Sequence, residues 1–366
     1  MTKLFINGKF LVQRTTGVQR FARGLLTALD DLLRDRSDLA APVLLMPPGA
    51  PKLVLHRIEQ HECGSRLIPL TLWEQSSLPW AARHGTLLCL SGSAPSLGGV
   101  RIPTIHDAAI YLYPKAYSWK FLSWYRLLFQ VVSASAPITF TVSDNSAREL
   151  ERCLPAKEFR VIPNAAEHIL KQETDINILK THELHSQSYL LAVGSRNLTK
   201  NLDVLVNAFI DSGLGKDLTL VLVGGKNNKV FANATSDYSY PGIIWTGTIN
   251  DGQLRALYEN ALAFVFPSIY EGFGIPPLEA MTCGCPVVAS NVSSIPEVCG
   301  EAALYFDPFE RHSLITALQT IAKQSDLRSD LIKKGYARQL LYSWNYSAEV
   351  LMKELLALDL LLPDQK

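Results

Sequence analysis

The stretch Pro267-Ser-Ile-Tyr-Glu-Gly-Phe-Gly-Ile-Pro-Pro-Leu-Glu279 follows a short apolar run, Leu262-Ala-Phe-Val-Phe266. Such a run has the length and composition of a strand buried in a parallel sheet. The two glycines of the longer stretch allow the backbone to approach a ligand closely. Because proline fits only the first turn of a helix, Pro276-Pro277 predicts a helix that begins at about Pro277 and ends near Gly284. The free N–H groups at the start of that helix favour a phosphate ligand.

Two glutamates, Glu271 and Glu279, lie eight positions apart across this turn. They resemble the E-x7-E signature of the retaining GT-B glycosyltransferases, in particular the GT4 family of bacterial polysaccharide and lipid-linked glycan enzymes. The resemblance implies that Glu279 binds the ribose hydroxyls of a sugar nucleotide and that Glu271, with the following backbone, holds the donor sugar. The donor-site residues implied for this segment are Glu271, Gly272, Phe273, Gly274, Ile275, Leu278 and Glu279. The alternative is an ordinary strand-turn-helix unit with two solvated glutamates.

The size and composition of the chain indicate a folded enzyme of two domains. A length of 366 residues is more than one core usually needs, and 48% apolar with 19% charged residues is typical of a globular protein. A net charge of +1 provides no global field that would attract nucleic acid, so no nucleic-acid partner is predicted. The sequence has no apolar run of about 18 residues, and its first residues are too short an apolar stretch for a signal peptide. A cytoplasmic location is therefore expected.

The six cysteines are scattered through apolar surroundings. Cys283-Gly-Cys285 lacks the further Cys or His residues that would complete a zinc site, so no metal site is predicted. Free thiols in a reducing compartment are the better interpretation.

Short apolar strands alternate with helical patterns along both halves of the chain, which predicts two consecutive doubly wound α/β units with a cleft between them. The predicted strands are Leu4–Ile6, Pro42–Met46, Thr86–Leu90, Ile102–Ile105, Ile138–Val142, Tyr189–Val193, Leu218–Val223, Ile243–Trp245, Leu262–Phe266, Pro286–Ala289 and Ala303–Phe306. In such sheets ligands bind at the carboxyl ends of the strands. The fold implied by the resemblance is GT-B, in which two Rossmann-like domains face a central cleft.

Four segments are predicted along the chain. Residues 1–170 form an N-terminal acceptor-binding domain, and residues 171–188, which are polar, form a linker or surface helix. Residues 189–340 form the sugar-nucleotide-binding domain. Residues 341–366 contain a helical pattern, and the resemblance implies that this last helix crosses back to the N-terminal domain.

Val193-Gly-Ser-Arg-Asn-Leu-Thr-Lys200 resembles the GT4 motif that ends a strand, turns on a glycine and supplies cations to the donor diphosphate. Fixed cations stabilise the negative charge that develops on a departing diphosphate. The implied residues are Gly194, Arg196 and Lys200. The sequence departs from the family pattern at Thr199, where arginine is often found, and Arg196 is the residue expected to substitute.

Two N-terminal motifs also resemble the family. His106-Asp107 follows an apolar strand and matches the position of a histidine beside the transferred sugar, where an imidazole bonds hydroxyl groups or shares in proton movement. Gly17 lies in a turn that resembles the glycine turn facing the donor phosphates, and Arg14 and Arg20 reinforce it or bind an anionic acceptor. The alternatives are a structural histidine and a capped helix start with solvated arginines.

Val223-Gly-Gly-Lys226 is a strand followed by a glycine turn, and Gly224 is predicted to contact a nucleotide base or ribose. Thr246-Gly-Thr-Ile249 resembles the family's segment near the base. Neither motif is distinctive alone. No G-x-G-x-x-G follows a strand, which counts against a nicotinamide-dependent dehydrogenase.

The segment Lys115–Val132 interleaves aromatic residues with lysine and arginine. This composition suits a bilayer interface, where amphipathic rings and long basic side chains are stable. The same stripe also suits packing against the sheet, and both interpretations are kept.

The predicted reaction is glycosyl transfer from a nucleotide-activated sugar to a hydroxyl group of a lipid-linked glycan or polysaccharide. The family resemblance implies retention of anomeric configuration without a metal, and GDP-mannose is the first donor considered. UDP- and dTDP-sugars, with rhamnose or glucose, are the alternatives. Glycoside hydrolysis by the glutamate pair and a non-catalytic sugar-nucleotide sensor are the competing functions.

Overall fold

A computed structural model describes residues 3–195, 197–225 and 240–363. The chain divides into two compact units. Unit 1 comprises Met1–Ala108, Ser123–Ala165 and Ser343–Lys366, and unit 2 comprises Ala109–Leu122 and Ala166–Tyr342.

The described residues contain thirteen strands and fourteen α-helices. The strands are β1 (Lys3–Asn7), β2 (Val43–Met46), β3 (Glu59–Glu62), β4 (Gly85–Cys89), β5 (Arg101–Pro103), β6 (Thr139–Thr141), β7 (Phe159–Val161), β8 (Tyr189–Val193), β9 (Thr219–Val223), β10 (Ile243–Gly247), β11 (Ala263–Phe266), β12 (Val287–Ser290) and β13 (Ala303–Phe306). The helices are α1 (Gly17–Leu33), α2 (Leu70–Gln75), α3 (Ser77–Ala81), α4 (Ala109–Leu112), α5 (Trp119–Ser135), α6 (Asp144–Cys153), α7 (Asn177–Thr181), α8 (Leu202–Asp211), α9 (Asp251–Asn260), α10 (Ile275–Thr282), α11 (Ile295–Cys299), α12 (Arg311–Lys323), α13 (Ser325–Gln339) and α14 (Trp344–Ala357).

Unit 2 is built on a six-stranded parallel sheet of order β10-β9-β8-β11-β12-β13. The chain runs outward in one direction from β8 and then in the other direction from β11. The carboxyl ends of β8 and β11 therefore form the switch point at which doubly wound sheets bind ligands.

Alternate residues of these strands enter two different hydrophobic cores, because successive side chains of a strand point to opposite faces of the sheet. Leu191 packs in one core with Tyr258 and Met281. Leu190 packs in the other core with Phe209 on α8. Both faces of the sheet are thus covered, as the continuous apolar strands of unit 2 require.

Unit 1 contains a five-stranded parallel sheet of order β3-β2-β1-β4-β5. The parallel pair β6-β7 lies next to it, since the Phe140 carbonyl accepts a hydrogen bond of 2.8 Å from the N–H of Ile105. Helices α1 and α14 pack together in this unit. A Cβ atom at Gly24 would lie 2.4 Å from the Trp344 ring, so only glycine permits this approach.

The prediction of two doubly wound units is confirmed, with strand ends shifted by one or two residues. Strand β3 was not predicted because its residues, Glu-Gln-His-Glu, form an edge strand whose side chains are mostly exposed. Helix α10 begins at Ile275, two residues before the predicted start, and holds both prolines in its first turn. Gly284, at φ +72°, follows the end of this helix as predicted. The stretch predicted as a linker or surface helix, residues 171–188, contains the short helix α7.

Candidate functional site

The carboxyl ends of β8 and β11 carry the two motifs that the sequence singled out in unit 2. Gly194 follows β8 directly, and its N–H donates to the Val223 carbonyl at 2.9 Å. The loop that contains Glu271 follows β11. A backbone hydrogen bond of 2.8 Å from Ile269 to the Thr199 carbonyl joins the two loops. Sheet order therefore brings together segments that are about 70 residues apart in the sequence.

Lys200 and Glu271 form an ion pair at this switch point. The Lys200 Nζ lies 2.6 Å from Glu271 Oε1, and the two side chains are only 22% and 13% exposed. The same ammonium lies 5.8 Å from the centre of the Phe266 ring. A cation and a carboxylate are thus held side by side in a partly desolvated position, where electrostatic interactions are stronger than in water.

Two serines that the sequence reasoning missed hold the Glu271 loop in place. Ser293 Oγ accepts from the Glu271 N–H at 3.2 Å and donates to its carbonyl at 2.7 Å. Ser294 Oγ lies 2.9 Å from the Glu271 carbonyl and 2.8 Å from the Phe273 carbonyl. Ser293 has a φ of +59°, and such strained non-glycine residues cluster at functional sites. The only sequence signal was the Ser-Ser pair after β12.

Helix α10 begins directly after this loop. Gly274 has a φ of +109°, a conformation that other residues rarely adopt, and it places the first turn of the helix after Glu271. Leu278 is fully buried, and Phe273 packs edge-on against Tyr342, so their side chains support the turn. Ile275, the first residue of the helix, is half-buried, as is Gly272 in the loop.

Glu279 lies on α10 and is almost completely buried, with 4% exposure. Its Oε1 lies 2.7 Å from His168 Nε2, and its Oε2 accepts from the Tyr258 hydroxyl at 3.1 Å. Burial, together with the charge of Glu279, raises the pKa of Tyr258 well above its ordinary value, so this hydroxyl remains a donor. His168 was not predicted as a site residue.

Gly224 follows β9 next to Gly194. It has a φ of +140°, and a Cβ atom there would lie 2.0 Å from the Gly194 carbonyl oxygen. The close approach of two backbone segments therefore requires glycine at this position, whatever else Gly224 contacts. Gly224 also donates to the carbonyl of Gly247 at 2.9 Å, which links it to the predicted base segment. Arg196 and Lys226 lie outside the described residues.

His106 lies in unit 1, after β5. Its Nε2 is 3.0 Å from the Leu90 carbonyl, and its ring makes an edge contact with Phe21 at 5.0 Å. Burial lowers the pKa of His106 to about 4, and the bond to the carbonyl offsets only part of this effect. The imidazole is therefore neutral at pH 7. Because a carbonyl can only accept, the proton is on Nε2 and the lone pair is on Nδ1.

Gly17 is the exposed first residue of α1, also in unit 1. The N–H of the preceding Thr16 donates to the Gln19 side chain at 3.1 Å, which defines the start of the helix. A Cβ atom at Gly92 would lie 3.7 Å from the His106 ring and 3.9 Å from Val18. The start of α1 and His106 therefore lie in the same neighbourhood of unit 1.

Helix α5 carries the aromatic and basic stretch. Leu128 and Val132 are buried, whereas a stripe on the same helix is exposed. The members of this exposed stripe are Trp119 (72%), Trp124 (40%), Leu127 (63%) and Val131 (37%). The packing interpretation therefore holds for the buried face, and membrane contact of the exposed stripe stays a prediction. Within the described ranges, no helix is long and apolar enough to cross a membrane.

All six cysteines are free thiols. Burial raises the pKa of Cys283 to about 12 and that of Cys63 to about 11, so these thiols are unreactive at neutral pH. Within the described part of the chain, no group of three or more His, Cys, Asp or Glu residues is arranged to hold a metal ion.

Residues 174–338, which include Lys200, Glu271 and Glu279, match the family model described as "Glycosyl transferases group 1". The segment that carries these residues is therefore that of a group 1 glycosyltransferase. This is the GT4 family, and the prediction made from the two glutamates is confirmed.

Two proteins to which the chain is similar are named as bacterial mannosyltransferases. The chain is 29% identical over 253 residues to O-antigen chain mannosyltransferase B of Escherichia coli, a match that covers 66% of each protein. It is 28% identical over 278 residues to O-antigen chain mannosyltransferase RfbU of Salmonella typhimurium, covering 72% of this chain and 73% of that one. The chain thus spans just under two thirds of the first relative's length.

The fold is that of solved GT-B proteins. Sucrose-phosphate synthase from Thermosynechococcus elongatus superposes with a TM-score of 0.73 over 98% of this chain and 99% of that one, at 20% sequence identity. The predicted GT-B fold, with two α/β units built on parallel sheets, is therefore confirmed.

Proposed function

We propose that the protein transfers a glycosyl group from a nucleotide sugar to a hydroxyl group of a lipid-linked or polysaccharide acceptor in surface polysaccharide synthesis. The observation that carries this proposal is the Lys200–Glu271 ion pair at the switch point of unit 2. GDP-mannose is the first donor to test, since the two relatives described above are named as O-antigen mannosyltransferases. UDP- and dTDP-sugars, including rhamnose and glucose donors, are the alternatives.

In this proposal the donor is bound by the residues that surround the ion pair. Glu279 binds the ribose hydroxyls, and the turn at Gly224 lies beside the base or ribose. The backbone of the loop from Gly272 to Ile275, together with Glu271, holds the donor sugar. The first N–H groups of α10 and their positive dipole end face phosphate.

The departing nucleoside diphosphate develops negative charge, which Lys200, Arg196 and the helix start stabilise. These groups supply the positive charge that a metal ion provides in other transferases, so the reaction is proposed to be metal-independent. Glu271 orients the sugar and is not a covalent nucleophile. The leaving phosphate itself deprotonates the acceptor hydroxyl on the same face of the sugar, which gives retention.

Unit 1 is proposed to bind the acceptor. The neutral His106 has a lone pair on Nδ1, which suits a hydrogen bond from a sugar hydroxyl better than proton donation at pH 7. The first N–H groups of α1, beginning with that of the exposed residue Gly17, are proposed to contact the donor phosphates.

A peripheral membrane contact is the proposed role of the exposed stripe of α5. Trp119 and Trp124 project from the same helix as Lys120 and Leu127, and this combination is stable at a lipid headgroup boundary. A lipid-linked acceptor would be reached from such a surface. Free thiols at all six cysteines are consistent with action at the cytoplasmic face, a reducing compartment.

The proposal is tested by incubating the purified protein with GDP-mannose, UDP-glucose or dTDP-rhamnose in the presence and absence of an acceptor glycolipid extract. We expect nucleoside diphosphate release that depends on the acceptor, an unchanged rate in EDTA, and a product whose anomeric configuration, measured by NMR, matches the donor. A loss of turnover in EDTA would contradict the proposal that the reaction is metal-independent. Hydrolysis of glycosides without any nucleotide sugar would favour the hydrolase, and nucleotide binding without turnover would favour the sensor.

A further inference from the structure

The Glu279 carboxylate is held by a side-chain partner on each of its oxygens. His168 Nε2 lies 2.7 Å from Oε1, and the Tyr258 hydroxyl lies 3.1 Å from Oε2. The three side chains come from separate elements of unit 2. His168 lies in the 3-10 turn Glu167–Ile169, whereas Tyr258 and Glu279 lie on α9 and α10.

The surroundings of the two partners differ. Tyr258 is fully buried and keeps its proton, so it donates to the carboxylate. His168 Nδ1 is buried, and no hydrogen-bond partner for it is found among the described residues. Nε2 is therefore the ring atom through which His168 contacts Glu279, at 2.7 Å from Oε1.

Two hydrogen bonds on different oxygens determine the plane of a carboxylate. A glutamate without them rotates about its terminal bond and loses that freedom only when a ligand binds. An ionised carboxylate accepts about four hydrogen bonds, so two fixed donors orient it without exhausting its capacity. The orientation matters most for a ligand that offers two adjacent hydroxyl groups, because both must meet the carboxylate at once.

We propose that His168 is a positioning residue that, together with Tyr258, orients Glu279 for the vicinal hydroxyls of a ribose and thereby sets the preference for ribonucleotides. This inference rests on the proposed function, in which Glu279 binds the ribose. It assigns to His168 a role in substrate discrimination that acts through Glu279 and involves no contact with the reacting atoms.

The test compares ribonucleotides with their deoxy forms by isothermal titration calorimetry. The ligand pairs are GDP and 2′-deoxy-GDP, and UDP and 2′-deoxy-UDP, and the pair that binds most tightly is used. For the unmodified protein we expect a preference of about tenfold or more for the nucleotide with the hydroxyl, as a hydrogen bond to a charged group provides.

His168→Ala is expected to reduce this preference to below about threefold, while the affinity for the deoxy form changes less than about twofold. His168→Gln retains an N–H donor and is expected to restore most of the preference. Tyr258→Phe removes the other hydrogen bond and is expected to lower the preference as well. His185→Ala, an exposed histidine of the same unit, is the matched control and should leave the preference unchanged.

The outcomes separate the two proposals. If the unmodified protein binds no pair, or binds one without any preference, the role of Glu279 in the proposed function fails and the inference fails with it. If the unmodified protein shows the preference and His168→Ala keeps it, the inference alone is overturned. An equal loss of affinity for both members of the pair would also overturn it, since that indicates only a structural role. Should His168→Ala not fold, His168→Gln and Tyr258→Phe decide the question by the same ratio.

Discussion

Replacing Glu271 by Gln is expected to have opposite effects on nucleotide binding and on turnover. In the structure the Glu271 carboxylate neutralises Lys200 across 2.6 Å in a partly buried position. A diphosphate that uses Lys200 must therefore compete with this carboxylate. The amide of glutamine has the same shape but no charge, so it leaves Lys200 more available to phosphate.

The size of the effect follows from the geometry. Two unit charges about 3 Å apart interact by about 5 kcal/mol at an effective dielectric constant of 20, which is an upper bound. Desolvation and screening reduce the net value of such pairs to about 1 kcal/mol, because Lys200 and Glu271 are not fully buried. The corresponding gain in affinity for a nucleoside diphosphate is about fivefold. Turnover should instead fall on the order of 100-fold, since the proposed contact of the Glu271 carboxylate with the donor sugar is lost.

The assay pairs calorimetric titration of GDP, UDP and dTDP with acceptor-dependent turnover. Glu279→Gln is the informative comparison, because it should weaken binding of the same diphosphate about tenfold. Glu301→Gln, an exposed glutamate, controls for the chemical change itself. The reasoning would be refuted if Glu271→Gln weakened diphosphate binding as Glu279→Gln does, or if it left turnover intact.

Three further predictions concern stability and location. Gly224→Ala should lower the free energy of unfolding by about 3 kcal/mol, because the new Cβ would overlap a backbone oxygen at a residue with positive φ. Gly213→Ala, also at positive φ but in open space, should lower it by only about 1 kcal/mol. Equal losses for the two variants in urea titrations followed by circular dichroism would contradict this prediction. His106 has a folded-state pKa of about 4, below its ordinary value of 6.5, so its contribution to stability is present above pH 6.5 and is lost as the pH falls to 4. The loss should reach about 3 kcal/mol and should be absent in His106→Gln, and an unchanged pH slope in that variant would refute the assignment. Replacing Trp119 and Trp124 by Ser should reduce flotation with vesicles that contain anionic lipid several-fold, and undiminished flotation of the folded variant would favour a role in packing alone.

Much of the fold could be predicted because its strands are continuous apolar runs. A run such as Tyr189–Val193 is buried on both faces of a parallel sheet and therefore carries a strong local signal. The edge strand Glu59–Glu62 has no such signal, since the energy that stabilises it comes from pairing with β2. The start of α10 was misplaced by two residues because Gly274, not the prolines, ends the preceding loop.

Residues of the candidate site could be predicted only where they lie in a recognisable sequence motif. Glu271, Glu279 and Lys200 were predicted as site residues because their segments resemble motifs of the GT4 family. Ser293 and Ser294, which hold the Glu271 loop, carry no distinctive pattern. His168 was missed for the same reason, since its partner Glu279 is 111 positions away.

The sequence by itself determined that the chain forms two doubly wound units with a glycine turn and a helix start after β11, because strand burial, proline restriction and glycine freedom are local properties of the residues. It also carries motifs that resemble those of the GT4 family. Only the tertiary structure decided which side chains lie next to each other. Lys200 meets Glu271 across 71 positions because β8 and β11 are neighbours in the sheet. His106 is neutral because the folded chain buries it, and its local sequence does not show this. Which side chains pair with each other, and what pKa a buried group has, depend on which elements pack together. That packing is a property of the whole fold.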